Sequence, residues 1–363
     1  MIFFSRDLGV DLGTSNVLIY QEGKGIVLRE PSVVAVDKLT GKVLQVGSGA
    51  RNMLGRTPGN VVAMRPLREG VISDYEMTEK MLAEFFRKIM RYAILKPRVI
   101  VSVPSGVSGV EERAVIQSAM EAGARRVYLI EEPLAAALGA HLDITGPDGH
   151  MIVDIGGGTT DIAVLTLNGV AVSSSIKTAG DAFDELIVRY FRRKHGAVIG
   201  ANTAEEVKMN VGCVMERPGG SDLLGSDLDT DRSGDYRQAS AEMQVRGRDL
   251  KTGLFKDVVV SSSELLDVLR RPAKAIADEV LAVLEQTTPE LVADISRNGI
   301  VLAGGGSQIW GMDRFLEERT EIRCTIADDP DSCVAYGCGK SLGWLSHMQE
   351  GPINIARKRL LKE

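Results

Sequence analysis

The chain has 363 residues, which is long enough for two domains that each bury a hydrophobic core. Hydrophobic residues make up 44% and charged residues 25%, a balance typical of a soluble globular protein. The 43 Lys and Arg residues are outnumbered by 49 Asp and Glu residues. The resulting net charge of −6 excludes the overall basic field that would predict a nucleic-acid partner.

The cysteines and the N-terminus indicate the cellular compartment. The four cysteines have neither the paired spacing of a metal site nor the density of a disulfide scaffold, which indicates reduced thiols. Arg6 and Asp7 interrupt the N-terminal apolar residues too early for a signal peptide. No apolar run approaches the roughly 20 residues that a membrane-spanning helix requires. We therefore expect a cytoplasmic protein that can still contact a membrane surface.

Strand-like and helix-like segments alternate along the chain, a pattern typical of the α/β class. Residues 8–20 predict two strands joined by a tight polar turn. Apolar side chains recur every four residues between Glu76 and Arg91 and predict a helix with one broad apolar face. A buried strand, a helix that ends at Gly123 and a further strand are then predicted in RVIVSVP, EERAVIQSAMEAGA and VYLIEEP.

The most informative feature of the sequence is an internal repeat. VDLGTSNVLIYQEGKG, at residues 10–25, is echoed by VDIGGGTTDIAVLTLNG at residues 153–169. Each copy has an apolar strand, an aspartate, a glycine-containing turn with hydroxyl side chains, and a second apolar strand. The two copies predict a duplicated unit with a cleft between its halves. The turn residues of TGPDG predict the boundary near residues 146–149.

The two turns of the repeat are suited to binding phosphate, because backbone N–H groups can approach a phosphate where side chains are small. Asp11 and Asp154 end the strands just before the turns, and carboxylates there would hold a hydrated Mg²⁺. One copy alone fits a plain β-hairpin with a glycine turn equally well, but the matching aspartates favour phosphate binding. The turn residues are Gly13, Thr14, Ser15 and Asn16 in the first copy and Gly156, Gly157, Gly158 and Thr159 in the second.

A third glycine-rich turn follows an apolar strand in GIVLAGGGSQIWGM, at residues 299–312. A turn of this kind between a strand and a helix lets a nucleoside lie against the backbone. Alone it is as weak a signal as an isolated GxGxxG, and it gains force from the two phosphate turns.

DLGTSN, DIGGGTTD and AGGGS, in this order and spacing, resemble the phosphate and adenosine segments of the superfamily of actin, sugar kinases and heat-shock-chaperone ATPases. Within that superfamily the chain resembles the MreB family, particularly its Mbl (MreB-like) branch, over nearly its whole length. The segments that carry this resemblance are GKGIVLREPSVVAVD, GRTPGN, RPLREGVISDYEMTEKML, LIEEPLAAALGA and SSIKTAGDAFDELI. Residues 213–244 depart from the pattern, since they look longer and more polar than is usual in the family.

The resemblance implies an actin-like α/β fold of two duplicated halves around a cleft that holds ATP and Mg²⁺. The first half would be residues 1–146, with a small inserted subdomain at residues 34–65. The second half would be residues 147–345, with a small inserted subdomain at residues 182–250. Residues 346–363 would form a tail that packs on the first half or is exposed.

The resemblance also implies which residues contact the nucleotide. Carried over residue by residue, it assigns phosphate contacts to Thr14, Ser15, Asn16, Gly157, Gly158 and Thr159. It places Glu205, Glu206, Val207 and Lys208 beside the nucleoside, opposite Gly305, Gly306, Ser307 and Gln308. On its own, TAEEVK predicts a first helical turn with Thr203 as N-cap and Glu206 in a capping box, a role compatible with nucleotide contact.

Glu132 is the best candidate for activating the water that attacks the γ-phosphate, because positioning dominates phosphoryl transfer. Pro133 suits the first position of a helix, which would place Glu132 at the junction between strand and helix. Residues before proline favour extended geometry, so Glu132 should leave the helix and face the cleft, while Glu131 alternates to the other face. The Thr159 hydroxyl would hold the water. The alternative is that Glu132 only caps the helix.

Two apolar segments are candidates for membrane contact. Ile94 and Leu95 lie in a connecting loop, and the corresponding loop in the MreB family is thought to insert into lipid. The N-terminal tip, residues 2–4, is a second candidate because a free terminus seldom packs tightly. Both segments can instead pack on the body of the protein. The basic residues of ARKRLLKE fit a solvated tail better than a lipid contact.

The family resemblance implies filaments built from copies of this chain, with slow ATP hydrolysis coupled to filament assembly. Such filaments would bind the inner face of the cell membrane and maintain rod shape by organising the cell-wall elongation machinery. A sugar kinase would need a carbohydrate pocket and an aspartate base, and no segment fits either. A chaperone would need a substrate-binding domain after the ATPase, whereas the segments that resemble the ATPase extend over nearly the whole chain, so a chaperone is not expected. A non-polymerising ATPase regulator with the same fold remains the alternative.

Overall fold

The computed structural model describes residues 7–90, 95–217 and 242–347. The strands, in chain order, are β1 Leu8–Leu12, β2 Asn16–Gln21, β3 Gly25–Pro31, β4 Val34–Asp37, β5 Val43–Val46, β6 Val61–Met64, β7 Leu67–Arg68, β8 Val71–Ile72, β9 Arg98–Val103, β10 Arg126–Glu131, β11 His150–Ile155, β12 Thr160–Thr166, β13 Gly169–Ile176, β14 Ala197–Val198, β15 Glu242–Asp249, β16 Phe255–Ser261, β17 Ile300–Ala303 and β18 Cys324–Ile326. The α-helices are α1 Ser48–Arg51, α2 Tyr75–Ile89, α3 Gly109–Glu121, α4 Glu132–Gly139, α5 Gly180–Tyr190, α6 Ala201–Val211, α7 Ser262–Gln286, α8 Pro289–Asn298, α9 Met312–Thr320 and α10 Cys333–Ser341.

Two five-stranded sheets have the same topology. The first has the order β10-β9-β1-β2-β3 and the second the order β18-β17-β11-β12-β13. In each sheet the repeat hairpin (β1–β2 or β11–β12) is antiparallel, and its first strand pairs in parallel with a later strand. Each sheet also has a register shift between the last two strands of its order. The predicted duplication is therefore a duplication of sheet topology as well as of sequence.

The helix predicted between Glu76 and Arg91 is present as α2. It begins after Asp74, whose side chain accepts a hydrogen bond of 3.0 Å from the Met77 N–H and so satisfies one of the unpaired amides of the first turn. Its apolar face buries Met81, Leu82, Phe85 and Phe86 in the core of the first sheet. The spacing of four residues predicted this face correctly.

Each half of the chain also contains a small three-stranded sheet. The first has the order β5-β4-β6 and lies within residues 34–64, inside the range for which a small subdomain is predicted. The second has the order β14-β15-β16, and its last strand ends at Ser261, beyond the predicted limit of residue 250. The domain boundaries themselves stay predictions.

The two large sheets are joined through a shared hydrophobic core that contains α4 and α10. The two helices are in backbone contact at two glycines: a Cβ on Gly337 would lie 1.7 Å from the Ala135 carbonyl oxygen, and one on Gly139 would lie 1.8 Å from the Cys333 carbonyl oxygen. No other residue type fits at such a distance. This contact fixes α4, and with it the residue that precedes Pro133, in the core that joins the two sheets.

Several sequence predictions fall outside the described residues. Most of the departing segment lies in residues 218–241, nearly all of the predicted tail lies in residues 348–363, and the N-terminal tip lies in residues 1–6. Ile94 also lies outside the described residues. All four cysteines are free, as their spacing predicts, and all four are buried.

Candidate nucleotide site

A cleft of about 1140 Å³ separates the two halves and is lined by residues of both. It is large enough for a nucleotide, because pockets for ligands of this size usually have volumes of about 300–1,000 Å³. Fourteen of the predicted site residues line it: Asp11, Thr14, Ser15, Asn16, Glu132, Asp154, Gly157, Gly158, Thr159, Glu205, Lys208, Gly305, Gly306 and Gln308.

Three predicted contact residues are placed elsewhere. Val207 and Ser307 have no exposed surface: Val207 packs in the core of the second half, and the Ser307 hydroxyl donates to the Gly304 carbonyl oxygen at 2.6 Å. Glu206 is exposed but does not line the cleft. Residues three and four apart share a helix face, so Glu205 and Lys208 reach the cleft while Glu206 and Val207 point away from it.

The predicted start of the helix that carries these residues is wrong. We expected Thr203 as the N-cap, but α6 begins at Ala201 after Gly200, which has extended geometry and makes no side-chain cap. Thr203 and Glu206 therefore lie inside the helix rather than in a capping box. Glycine is tolerated at the N-cap position, and two residues that precede Thr203 continue the helical pattern.

The two predicted phosphate turns meet at the bottom of the cleft. A Cβ on Gly157 would lie 2.1 Å from the Ser15 Oγ, and one on Gly158 would lie 2.5 Å from the Thr14 Oγ1. The glycines of DIGGGTTD thus allow the hydroxyl side chains of the first turn to approach the backbone of the second. The Gly156 N–H donates to the Thr159 carbonyl oxygen at 2.9 Å, which closes the second turn.

Two carboxylates stand beside these turns. Burial raises the pKa of Asp11 to about 7, and the charge of Asp331 adds to the effect. Burial also raises the pKa of Asp154 well above its usual value, with the charges of Asp161 and Asp11 as further causes. Within the described ranges, no three His, Cys, Asp or Glu side chains are grouped closely enough to hold a metal ion by themselves. A hydrated divalent cation would offset the repulsion between these carboxylates, so the residues present fit Mg²⁺ bound through water.

Glu132 lines the cleft, but its backbone differs from the prediction. It is the first residue of α4, and the extended residue is Glu131, with φ −69° and ψ 137°. Proline is accommodated at the second helical position because the first N–H groups of a helix have no partner within the helix. Glu131 accepts a hydrogen bond of 3.4 Å from the Ser105 hydroxyl and is not part of the cleft lining.

Asp161 belongs to the same cluster and was not predicted as a site residue. It is 1% exposed and accepts a hydrogen bond of 2.8 Å from the Ser105 N–H. Its side chain also bonds to Thr159 and to Glu132, and burial raises its pKa. Burial, followed by the charge of Asp161, raises the pKa of Glu132 well above its usual value. Asp161 is the last residue of DIGGGTTD, and that position in the phosphate-turn motif is the sequence signal from which its place in the site could have been predicted.

Gly70 is a second unpredicted residue of the cleft. Its N–H donates to the Thr14 Oγ1 at 3.0 Å, and its φ of +76° lies in the left-handed region that favours glycine. A Cβ at this position would lie 2.7 Å from the Thr159 Cγ2. Gly70 therefore brings the β7–β8 connection against both turns of the repeat.

One known protein family matches the chain over most of its length. The family profile described as "MreB/Mbl protein" matches residues 5–350 of the chain. The chain belongs to the MreB/Mbl family. The "Cell shape-determining protein Mbl" of Bacillus cereus is 47% identical to it over 337 residues, covering 93% of this chain and 95% of that protein. The "Cell shape-determining protein MreB" of Escherichia coli is 47% identical over 345 residues, covering 93% and 94% respectively.

Solved structures of the MreB/Mbl family and of related filaments share the fold. MreB 5 of Spiroplasma citri bound to AMPPNP is 37% identical, with a TM-score of 0.84, covering 94% of this chain and 96% of that chain. The MamK double helical filament is 23% identical with a TM-score of 0.73, covering 94% and 99%, and supports the fold alone. The expected actin-like α/β fold is confirmed.

The described part of this MreB/Mbl chain includes one of the two residues predicted to contact lipid in the α2–β9 loop. Leu95 is 48% exposed, and several other leucines of the described residues are exposed to a similar or greater degree, as is common on protein surfaces. Among the described residues, no helix is both long and apolar enough to cross a bilayer.

Proposed function

We propose that this chain is an ATP-dependent polymerising filament protein that maintains rod cell shape. The observation that carries the proposal is the pair of phosphate turns, Thr14–Asn16 and Gly157–Thr159, meeting in a cleft between two duplicated halves of an MreB/Mbl chain. Copies of the chain would assemble in the cytoplasm, bind the inner face of the membrane and organise cell-wall elongation. The halves would be residues 1–146 and 147–345, followed by the tail at residues 346–363.

The cleft residues suggest how the chain binds ATP. The two turns would bind the phosphates through backbone N–H groups and hydroxyls. Glu205 and Lys208 would face Gly305, Gly306 and Gln308 across the nucleoside. Asp11 and Asp154 would hold Mg²⁺ through water. When bound, the ion would supply positive charge that neutralises phosphate oxygens.

Hydrolysis requires a water that is held in line with the γ-phosphate. We propose that the Thr159 hydroxyl holds this water and that Glu132 accepts its proton. Both side chains are 8% exposed and line the cleft, and Asp161 bonds to both.

Assembly is tested by sedimentation and electron microscopy with and without Mg-ATP. We expect the chain to pellet and to form filaments when Mg-ATP is present. Monomers in every nucleotide state, with and without lipid, would contradict the proposal and favour the non-polymerising ATPase regulator. ATP hydrolysis measured on the same samples separates an inactive preparation from a regulator that hydrolyses ATP without assembling.

Membrane binding is tested at the exposed leucine of the α2–β9 loop. Leu95→Ser should reduce co-sedimentation with liposomes, because an inserted leucine side chain contributes roughly 1.5–3 kcal/mol. Leu39→Ser is the matched control, since Leu39 is 87% exposed in the β4–β5 turn and has no proposed lipid role. Equal effects of both substitutions, or none, would contradict a specific role for Leu95 and point to the N-terminal tip, residues 2–4.

A further inference from the structure

Four charged side chains form a cluster that bridges the cleft, which we call the charged latch: Arg51, Arg65, Asp181 and Glu205. The Arg51 Nη2 lies 2.6 Å from the Glu205 Oε2. Arg65 contacts two carboxylates, with its Nη1 3.2 Å from the Asp181 Oδ1 and its Nη2 3.8 Å from the Glu205 Oε2. The arginines lie on α1 and directly after β6, in the first half, and the acids lie on α5 and α6, in the second.

The latch is partly shielded from solvent. The side chains of Glu205, Arg65, Arg51 and Asp181 are 18%, 23%, 34% and 40% exposed, whereas those of another ion pair between the halves, Lys177–Glu69, are 67% and 57% exposed. Ion pairs between exposed side chains contribute little because water and salt screen them, while partly buried pairs are screened less. We therefore expect the latch to contribute more to cleft closure than the exposed pair does.

The latch is also connected to the second phosphate turn. The Asp181 N–H donates to the Gly157 carbonyl oxygen at 2.7 Å, and the neighbouring Gly180 N–H donates to the Gly156 carbonyl oxygen at 3.1 Å. Lys208 donates to the Gly180 carbonyl oxygen at 3.0 Å and pairs with the Asp184 carboxylate at 2.9 Å. A displacement of Asp181 is thus transmitted directly to the turn that faces the phosphates.

We propose that Arg51 and Arg65 are positioning residues that hold Glu205 against the nucleotide and keep the cleft closed, and so set the rate of nucleotide release. Neither arginine is required to contact the reacting phosphate, since each acts through a carboxylate of the opposite half. The release step of this inference rests on the proposed function of the cleft as a nucleotide site, whereas the closure step does not.

The closure step is tested without nucleotide. Leu39→Cys and Phe255→Cys place spin labels on the two small sheets, at side chains that are 87% and 86% exposed, while the four natural cysteines are buried. Arg51→Ala and Arg65→Ala should broaden and lengthen the distance distribution between the labels, and Lys177→Ala should not. Label-to-label distance distributions that are unchanged in both arginine variants would contradict a role of the latch in closing the cleft. An equal change in Lys177→Ala would contradict it as well.

The release step is tested by stopped-flow displacement of a fluorescent ATP analogue. We expect Arg51→Ala and Arg65→Ala each to raise the dissociation rate by about three- to tenfold, near and just above the upper end of the values typical of exposed ion pairs. Release from Arg65→Lys should be slower than release from Arg65→Ala, because lysine keeps the positive charge but cannot contact both carboxylates as the guanidinium group does. Added salt should accelerate release from the wild type more than from the double variant.

The outcomes separate the inference from the proposed function. Dissociation rates that are unchanged in both arginine variants would overturn the inference, even if nucleotide binds normally. A wild type that binds no nucleotide but whose labelled distances respond to Arg51→Ala and Arg65→Ala would support closure by the latch and contradict the proposed nucleotide function.

Discussion

Replacing Glu132 with Gln is expected to slow ATP hydrolysis by about 10²–10⁴-fold, the usual effect of losing one positioned base. Affinity for ATP should change little, because the proton is accepted mainly in the transition state. The amide keeps the size of the side chain and can still bond to Asp161, so the buried cluster should remain packed. Filaments of Glu132→Gln should therefore persist in the ATP state and turn over slowly.

Phosphate release under single-turnover conditions, measured beside nucleotide affinity, tests this expectation. Glu131→Gln is the matched control, because Glu131 is the neighbouring carboxylate and its side chain bonds to Ser105 outside the cleft lining. Normal hydrolysis in Glu132→Gln together with slow hydrolysis in Glu131→Gln would shift the assignment by one residue. Normal hydrolysis in both variants would show that the water is activated by another group.

Replacing Asp11 with Asn is expected to weaken Mg-ATP binding by about 10–100-fold, the range typical of groups that hold a metal ion through an outer shell. Binding of ATP in the presence of EDTA should instead become somewhat tighter, because the carboxylate repels the phosphates when no cation separates them. Titration calorimetry with and without Mg²⁺ distinguishes the two cases. Equal losses in both conditions would contradict a role in holding the ion.

The same substitution should have the opposite effect on the protein without ligand. Burial raises the pKa of Asp11 to about 7 from an ordinary value of 3.8, so the folded state binds more protons than the unfolded state in this interval. Stability is therefore lost as the pH rises from 3.8 towards 7, and the full cost is present above pH 7. Asp11→Asn removes this cost, and the melting temperature of the ligand-free variant should exceed that of the wild type at pH 8.

Asp331→Asn provides the control for the Mg-ATP affinity measured on Asp11→Asn. Asp331 lies in the same cleft, but its carboxylate is 3.9 Å from the Arg29 Nη1, which compensates its charge. The pair is partly exposed, so its loss should change Mg-ATP affinity by no more than about a factor of five. A larger loss of affinity in Asp331→Asn than in Asp11→Asn would contradict the proposed position of the ion and favour Asp331 as the residue that holds it.

The sheets and the phosphate turns were predictable because the sequence encodes them locally. Alternating apolar residues, an aspartate at the strand end and a glycine turn occur within about 17 consecutive residues in each copy, a length over which hydrophobic periodicity is informative. The register of β1 with β2 and of β11 with β12 follows from the short turns. The helical face of α2 was predictable for the same reason, since its spacing lies within one element.

The starts of α4 and α6 were predicted less well because local preferences compete there. The capping pattern of Thr203 and Glu206 favoured a later start for α6, and Pro133 favoured an extended Glu132. In the structure α6 begins at Ala201, and the backbone contact between α4 and α10 fixes α4 in place. Tertiary packing outweighs propensities that differ by about a kcal/mol or less.

The sequence by itself determined the α/β class, the duplicated hairpins, the membership of the MreB/Mbl family and fourteen of the residues that line the cleft. Only the tertiary structure decided that Val207 and Ser307 are buried and that Asp161 and Gly70 join the site. It also brought Arg51 against Glu205, 154 positions along the chain. Local patterns fix the backbone conformation and the spacing of side chains. Which face meets the cleft, and which charge meets its partner, depends on contacts between segments that are far apart in the sequence.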